Sequence, residues 1–144
     1  MLIKFVIFFH ILAATVWTGG HLILSLGFLP AALRKNDFSI IEAFELRYER
    51  IGIPALIILL VTGIYMTTFY APELFEFDWS DHYSRHILLK YGALLATIAL
   101  AIHARFFLIP SRKLKPLAVH IVAVTILAVC FVFLGFSARS GGIL

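Results

Sequence analysis

The chain has 144 residues, 62% of them hydrophobic and 14% charged, with a mean hydropathy of +1.00. Soluble domains carry ~25% charged residues and at most ~50% apolar ones, so this composition excludes a water-soluble enzyme and excludes disorder with it. The net charge of +4 sits in short stretches between apolar runs. That is the topology signal of a membrane protein rather than the footprint of a nucleic-acid binder.

A hydrocarbon core asks for ~20 apolar residues in helix. Four stretches meet that requirement, at residues 5–33, 51–70, 86–108 and 116–138. They predict one all-α domain over residues 1–144, an integral membrane four-helix bundle in contact with lipid. The first stretch is too long for the apolar region of a cleaved signal and reads as a retained span. On it His10, Ala14, Trp17 and His21 fall on a stripe roughly 40° wide, with the two histidines about 16 Å apart along the axis. Gly19 and Gly20 permit close helix approach, and Pro30 marks an end or a bend. Residues 38–50 mix apolar side chains with Glu42, Glu45, Arg47, Glu49 and Arg50, and read as a helical extension of the second span on the cytoplasmic side. The second span has no histidine, and its Thr62, Gly63, Thr67 and Thr68 are suited to packing or hydrogen bonding.

The stretch after it is acidic and aromatic, with Glu73, Glu76, Asp78 and Asp81 among Phe75, Phe77 and Trp79, a composition suited to the headgroup zone. On the third span His86, Lys90, Ala93, Thr97, Ala101 and Ala104 form a stripe lined by small residues, and His103 points roughly 100° away. The fourth span carries His120 and the only cysteine, Cys130, so there is neither an internal disulfide nor a thiolate cluster. Pro110 and Pro116 bracket the loop before it. The sequence has no repeat of fixed period and no low-complexity tract.

Basic residues set the orientation. Arg34, Lys35, Arg47, Arg50, Arg105, Arg112, Lys113 and Lys115 gather on one side, against Lys4, Arg85 and Arg139 on the other. The reading is a multi-pass protein of a bacterial inner membrane with both termini outside.

Five of the six histidines lie within spans, where polar groups are costly and are functional candidates. Depth sorts them into two layers. His10, His86 and Lys90 lie toward the outer side with His82 just beyond, and His21, His103 and His120 lie toward the cytoplasmic side. One or two b-type haems suit this layout, because facing helices can supply axial imidazoles and nearby cations can hold propionates. The outer haem would take His10 and His86, with Lys90 as a neutral amine the third candidate ligand, and Arg85 for a propionate. The inner one would take His21 with His103 or His120, and Arg47, Arg50 or Arg105. Such a protein performs electron transfer or quinol or porphyrinogen redox chemistry, with a quinone or another redox partner. The alternative is copper, bound by His10, His82 and His86 or by His21, His103 and His120, since imidazole suits Cu(II). Thioether donors are few, only Met1 and Met66. His82 and His86 are four apart and share a helix face with Asp78 nearby. A third reading is an accessory subunit of a homo-oligomer or a larger membrane complex. Against all of these, a membrane histidine can simply hydrogen-bond a carbonyl or a threonine of a neighbouring helix, and Lys90 can snorkel outward.

The run His10-Ile-Leu-Ala-Ala-Thr-Val-Trp17-Thr-Gly19-Gly20 followed by Pro30 resembles the first helix of the CopD-type copper-resistance membrane domain. The run at residues 90–105, from Lys90 to Arg105 with Pro110 beyond, is similar to that domain's lysine-bearing helix. The resemblance implies copper uptake or resistance, often beside a periplasmic copper-binding partner. His10 and Lys90 also match the first-helix histidine and third-helix lysine of the HemJ-type protoporphyrinogen oxidases, which implies b-type haem. The Gly19–Gly20 pair departs from that second pattern.

The charge asymmetry yields a direct expectation. Reporter domains fused at either terminus should both read the outer side, and a cytoplasmic C-terminus would reverse the assignment of layers to membrane faces.

Overall fold

The structure, a computed structural model, describes residues 1–72 and 82–140, the side chains of residues 82 and 83 excepted. The acidic and aromatic residues Glu73 to Asp81, with the expectations attached to them, lie outside the described residues. Among the described residues the long elements are all helical. Helix α1, Leu2–Ile23, runs through a π-helical turn at Leu24–Phe28 into α2, Leu29–Lys35. Helix α3 is Ser39–Tyr70. Helix α4, His82–His103, runs through a second π turn at Ala104–Leu108, and α5 is Leu114–Arg139. Four of these continuous helices are long and apolar enough to cross a membrane, as the hydropathy pattern predicts.

Both π turns have one cause. A proline lacks an N–H and its ring collides with the carbonyl four residues back. Widening the helix just ahead of it relieves the collision and lets the preceding amide reach one residue further. The Leu29 N–H bonds the Leu24 carbonyl ahead of Pro30, and the Ile109 N–H bonds the Ala104 carbonyl at 2.9 Å ahead of Pro110. The two segments also stop alike. Asn36 and Arg112 adopt left-handed conformations, φ 49° and 50°. The next amides, of Asp37 and Lys113, then reach back to the carbonyls of Ala32 at 3.0 Å and Leu108 at 3.2 Å, a helix-terminating bond that satisfies an orphan carbonyl. Thus the first and third spans repeat each other at an offset of about 80 residues. The sequence announces no such period, because the repeat lies in proline positions and backbone geometry rather than in side-chain identity.

Helix α3 has 32 residues, about 48 Å at 1.5 Å per residue, against a hydrocarbon core of ~30 Å. Its first turns therefore project beyond the apolar zone and carry Glu42, Glu45, Arg47, Glu49 and Arg50, so the expected extension and its span are one helix. Just ahead of its N-cap, Phe38, the Oδ1 of Asp37 accepts from the Ser39 N–H at 2.9 Å and from the Ser39 hydroxyl at 2.6 Å. These bonds hold the Asp37 carboxyl below its ordinary pKa. The contribution of these bonds is therefore complete at neutral pH and is lost as pH falls through that lowered value.

Helix α1 packs on α3 and α5, and α4 packs on α5, while α3 and α4 meet only sparsely. One core cluster joins Leu24, Leu29, Ala32, Ile41, Leu117 and Ile121 at the end of the bundle that holds both π turns. A smaller one joins Trp17, Val124 and Ala128. The outer surface is apolar, with Phe8, Leu26, Val61, Leu95 and Val119 among its exposed residues, and this is the lipid-facing side.

The α1–α3 contact turns on Tyr48. Its ring lies directly on the bare backbone of Gly20 and beside Gly52, where an added Cβ would stand 2.8 Å from Cε1. Its hydroxyl donates to the Trp17 and Val16 carbonyls at 3.0 and 3.2 Å. Gly19 faces open space, so of the glycine pair only Gly20 serves the close approach. Gly20→Ala should cost about 1–3 kcal/mol by overpacking, whereas Gly19→Ala should be neutral or gain up to about 1 kcal/mol of helix propensity. Unfolding in mixed detergent and dodecyl sulfate measures both, and equal effects at the two positions would refute the assignment.

Candidate functional site

Polar side chains inside the bundle form two groups, one toward the end that carries the termini and one toward the end that carries the π turns. At the terminal end the Nδ1 of His10 lies 2.8 Å from Thr62 Oγ1. The Thr62 hydroxyl hydrogen is already directed to the Ile58 carbonyl, so Thr62 accepts and His10 Nδ1–H donates. The Nε2 of His10 therefore keeps its lone pair. Gly63 makes room for the ring, since a Cβ there would stand 3.6 Å from Cε1.

Lys90 sits opposite in the repeat. Like His10 it precedes its proline by about 20 residues, and like His10 it rests over a glycine of the next helix, with Nζ 3.2 Å from where a Gly135 Cβ would be. Its amine lies against α5 at Gly135. His86 is 3% exposed, its Nε2 3.1 Å from the Ser137 hydroxyl. Tyr91 O–H donates to Thr67 Oγ1 at 3.0 Å and ties α4 to α3 at this end.

At the π-turn end His21 donates Nδ1–H to the Trp17 carbonyl at 2.9 Å and lies 4.4 Å from the Trp17 ring and 5.7 Å from the Tyr48 ring, centroid to centroid. His120 donates Nδ1–H to the Pro116 carbonyl at 3.0 Å. Its Nε2 must then accept from His103 Nδ1–H at 2.8 Å. His103 and His120 thus close directly on each other instead of facing across a slot. His21 and His120 both line a cavity of about 310 Å³ that draws on α1, α3, α4, α5 and the second π turn. Glu49 and Arg105 form an ion pair of 3.0 Å at its edge.

His10, His21 and His120 therefore share one tautomer, with the Nε2 of His120 already taken by His103. An oxygen fixes Nδ1–H and Nε2 is the electron-pair donor, which is how a ligating imidazole is oriented by its outer partner. Among the described residues no three of His, Cys, Asp and Glu converge on one point. Arg47, Arg50 and Arg85 are exposed, and Arg105 is engaged with Glu49. His82 begins α4, and its side chain, like Asp78, lies outside the described residues. Sequence reasoning passed over Tyr48, Ser137 and Gly135. The available signal was a small or hydroxyl residue on the neighbouring helix at matching depth, which one sequence cannot register without the helix pairing.

The family model described as CopD, copper resistance protein D, matches residues 42–138. Comparison with curated proteins and with solved structures found no match. The expected likeness to the protoporphyrinogen oxidases is not shown.

The hydrogen-bond directions fix tautomers that are measurable. Imidazole 15N shifts at neutral pH should report Nδ1–H for His10, His21 and His120. Thr62→Val should leave the His10 donor unpaired and destabilise the bundle by about 1–3 kcal/mol. An Nε2–H tautomer at His10 would contradict the arrangement.

Proposed function

The chain belongs to the copper resistance protein D family, and from that premise we propose that copper is its cargo and that His10 is the first protein donor to take it. The observation that carries this reading is the His10–Thr62–Ile58 chain of hydrogen bonds. It holds one imidazole in a fixed tautomer with Nε2 available, at the terminal end of a membrane bundle. Imidazole suits copper in sites poor in sulfur, and sulfur is scarce in this chain. His86 is the second candidate donor on the same end. His21, further along the α1 stripe, is a second imidazole station with the same Nε2 presentation.

Lys90 bears on this site through its charge. As an ammonium it repels a cation near His10, and as a neutral amine it adds a nitrogen donor. The haem reading gains no support from the family match, and the copper reading replaces it as the leading one. The same proposal takes residues 1–144 as one domain, in a bacterial inner membrane with both termini outside.

Copper affinity, measured by competition with a chromogenic chelator in detergent, tests the reading. His10→Ala should lower it at least roughly tenfold, and Thr62→Val should lower it by a smaller factor through loss of orientation. Unchanged copper affinity in both His10→Ala and His21→Ala would overturn the proposal. So would purified protein that carries a stoichiometric Soret-absorbing haem and no copper.

A further inference from the structure

The cavity at the π-turn end lies apart from the His10 site proposed as the first copper donor, and shares with the copper reading only His21. It opens where α3 and α4 separate. Tyr91 and Thr67 join these helices at the terminal end, and elsewhere contact between them is sparse. Its inner wall is apolar and aromatic, with Trp17, Leu24, Leu56 and Val124. Its rim carries Ile53 and Phe106, 48% and 69% exposed on the lipid-facing surface. A ligand can therefore enter sideways from the hydrocarbon.

The polar inventory of the cavity is one-sided. The Nδ1–H of His21 is spent on the Trp17 carbonyl, so His21 offers Nε2 as an acceptor. Tyr48 has committed its hydroxyl hydrogen to backbone carbonyls. His120 has committed Nδ1–H to Pro116 and Nε2 to His103. Glu45 and Glu49 add carboxylates, and the one cation among the described lining residues, Arg105, is paired with Glu49. The site thus presents acceptors to a ligand that must bring the donors. At about 310 Å³ it stands at the low end of small-molecule pockets, room for one substituted ring.

We propose that this cavity binds the ring of a lipid-borne hydroquinone, with one ring hydroxyl donating to His21 Nε2, the ring against Trp17, and the isoprenoid tail leaving between Ile53 and Phe106. A quinone, which has only acceptors, is the poorer ligand, so the site selects the reduced form. The first copper site and this one are tested separately, because His10 and Thr62 take no part here and the ligand is titrated into copper-free protein.

The test is a titration of copper-free protein in lipid nanodiscs with decylubiquinol kept reduced under anaerobic conditions, followed by quenching of tryptophan fluorescence. Saturable quenching is expected, with affinity roughly tenfold weaker for oxidised decylubiquinone and roughly tenfold weaker after His21→Leu, the loss of one buried hydrogen bond. Ala101→Trp, at the exposed rim, should abolish saturation by filling the mouth while leaving the core untouched, which guards against a His21→Leu protein that merely misfolds. Decylbenzene, which has the tail without the hydroxyls, should not compete. Non-saturable quenching, equal affinity for the two redox forms, or full competition by decylbenzene would each overturn the proposal. The last outcome would make the cavity an acyl-chain slot.

Discussion

Hydrocarbon cannot hydrogen-bond, so each polar atom within this bundle must find its partner in the protein. That constraint explains why the imidazoles are where they are and in which state. His10 reaches Thr62, His21 reaches the carbonyl one turn back, and His120 reaches Pro116. In each case an oxygen takes the Nδ1 hydrogen. The requirement for burial without penalty therefore also produces, at no further structural cost, two rings, His10 and His21, that present Nε2 lone pairs, while the Nε2 of His120 accepts from His103. A group satisfied in this way is both stable in lipid and ready to bind.

The same constraint shapes the backbone. Pro30 and Pro110 would each strand a carbonyl in the membrane-spanning helix. The π turns at Leu24–Phe28 and Ala104–Leu108 rearrange the bonds so that the chain passes each proline and still ends in a left-handed cap. Because both events occur in equivalent spans, His10 and Lys90 come to occupy equivalent positions, each over a glycine of the following helix. One position holds a donor of an electron pair and the other a cation or a neutral amine, depending on protonation. This asymmetry within a repeated frame gives the terminal end of the bundle its chemistry.

The four spans were legible because lipid demands long uninterrupted apolar runs, and the 144-residue chain has little else. The extension at Glu42–Arg50 was legible from its mixed charge, and the CopD resemblance from the run His10 to Gly20 with Pro30, although the matched region, 42–138, begins after it. Which glycine of the pair matters was not legible, because Gly19 and Gly20 differ only in facing solvent lipid or Tyr48. The pairing of His103 with His120 was open to several geometries at the depth resolution of a helical rise. Only the relative rotation of α4 and α5 decides that the two rings bond each other at 2.8 Å. The preference for haem over copper drew on the count of deep histidines, and that count says nothing about which atoms of the rings are already engaged.

The central claim is that copper meets imidazole nitrogen held ready by Thr62. X-ray absorption on copper-loaded protein reads the donor atoms directly. The account predicts a first shell of nitrogen, with the outer-shell scattering pattern of imidazole, which weakens when His10 is replaced by alanine. A first shell dominated by sulfur, from Met66 or Cys130, or a spectrum unaltered by the loss of His10, would contradict it.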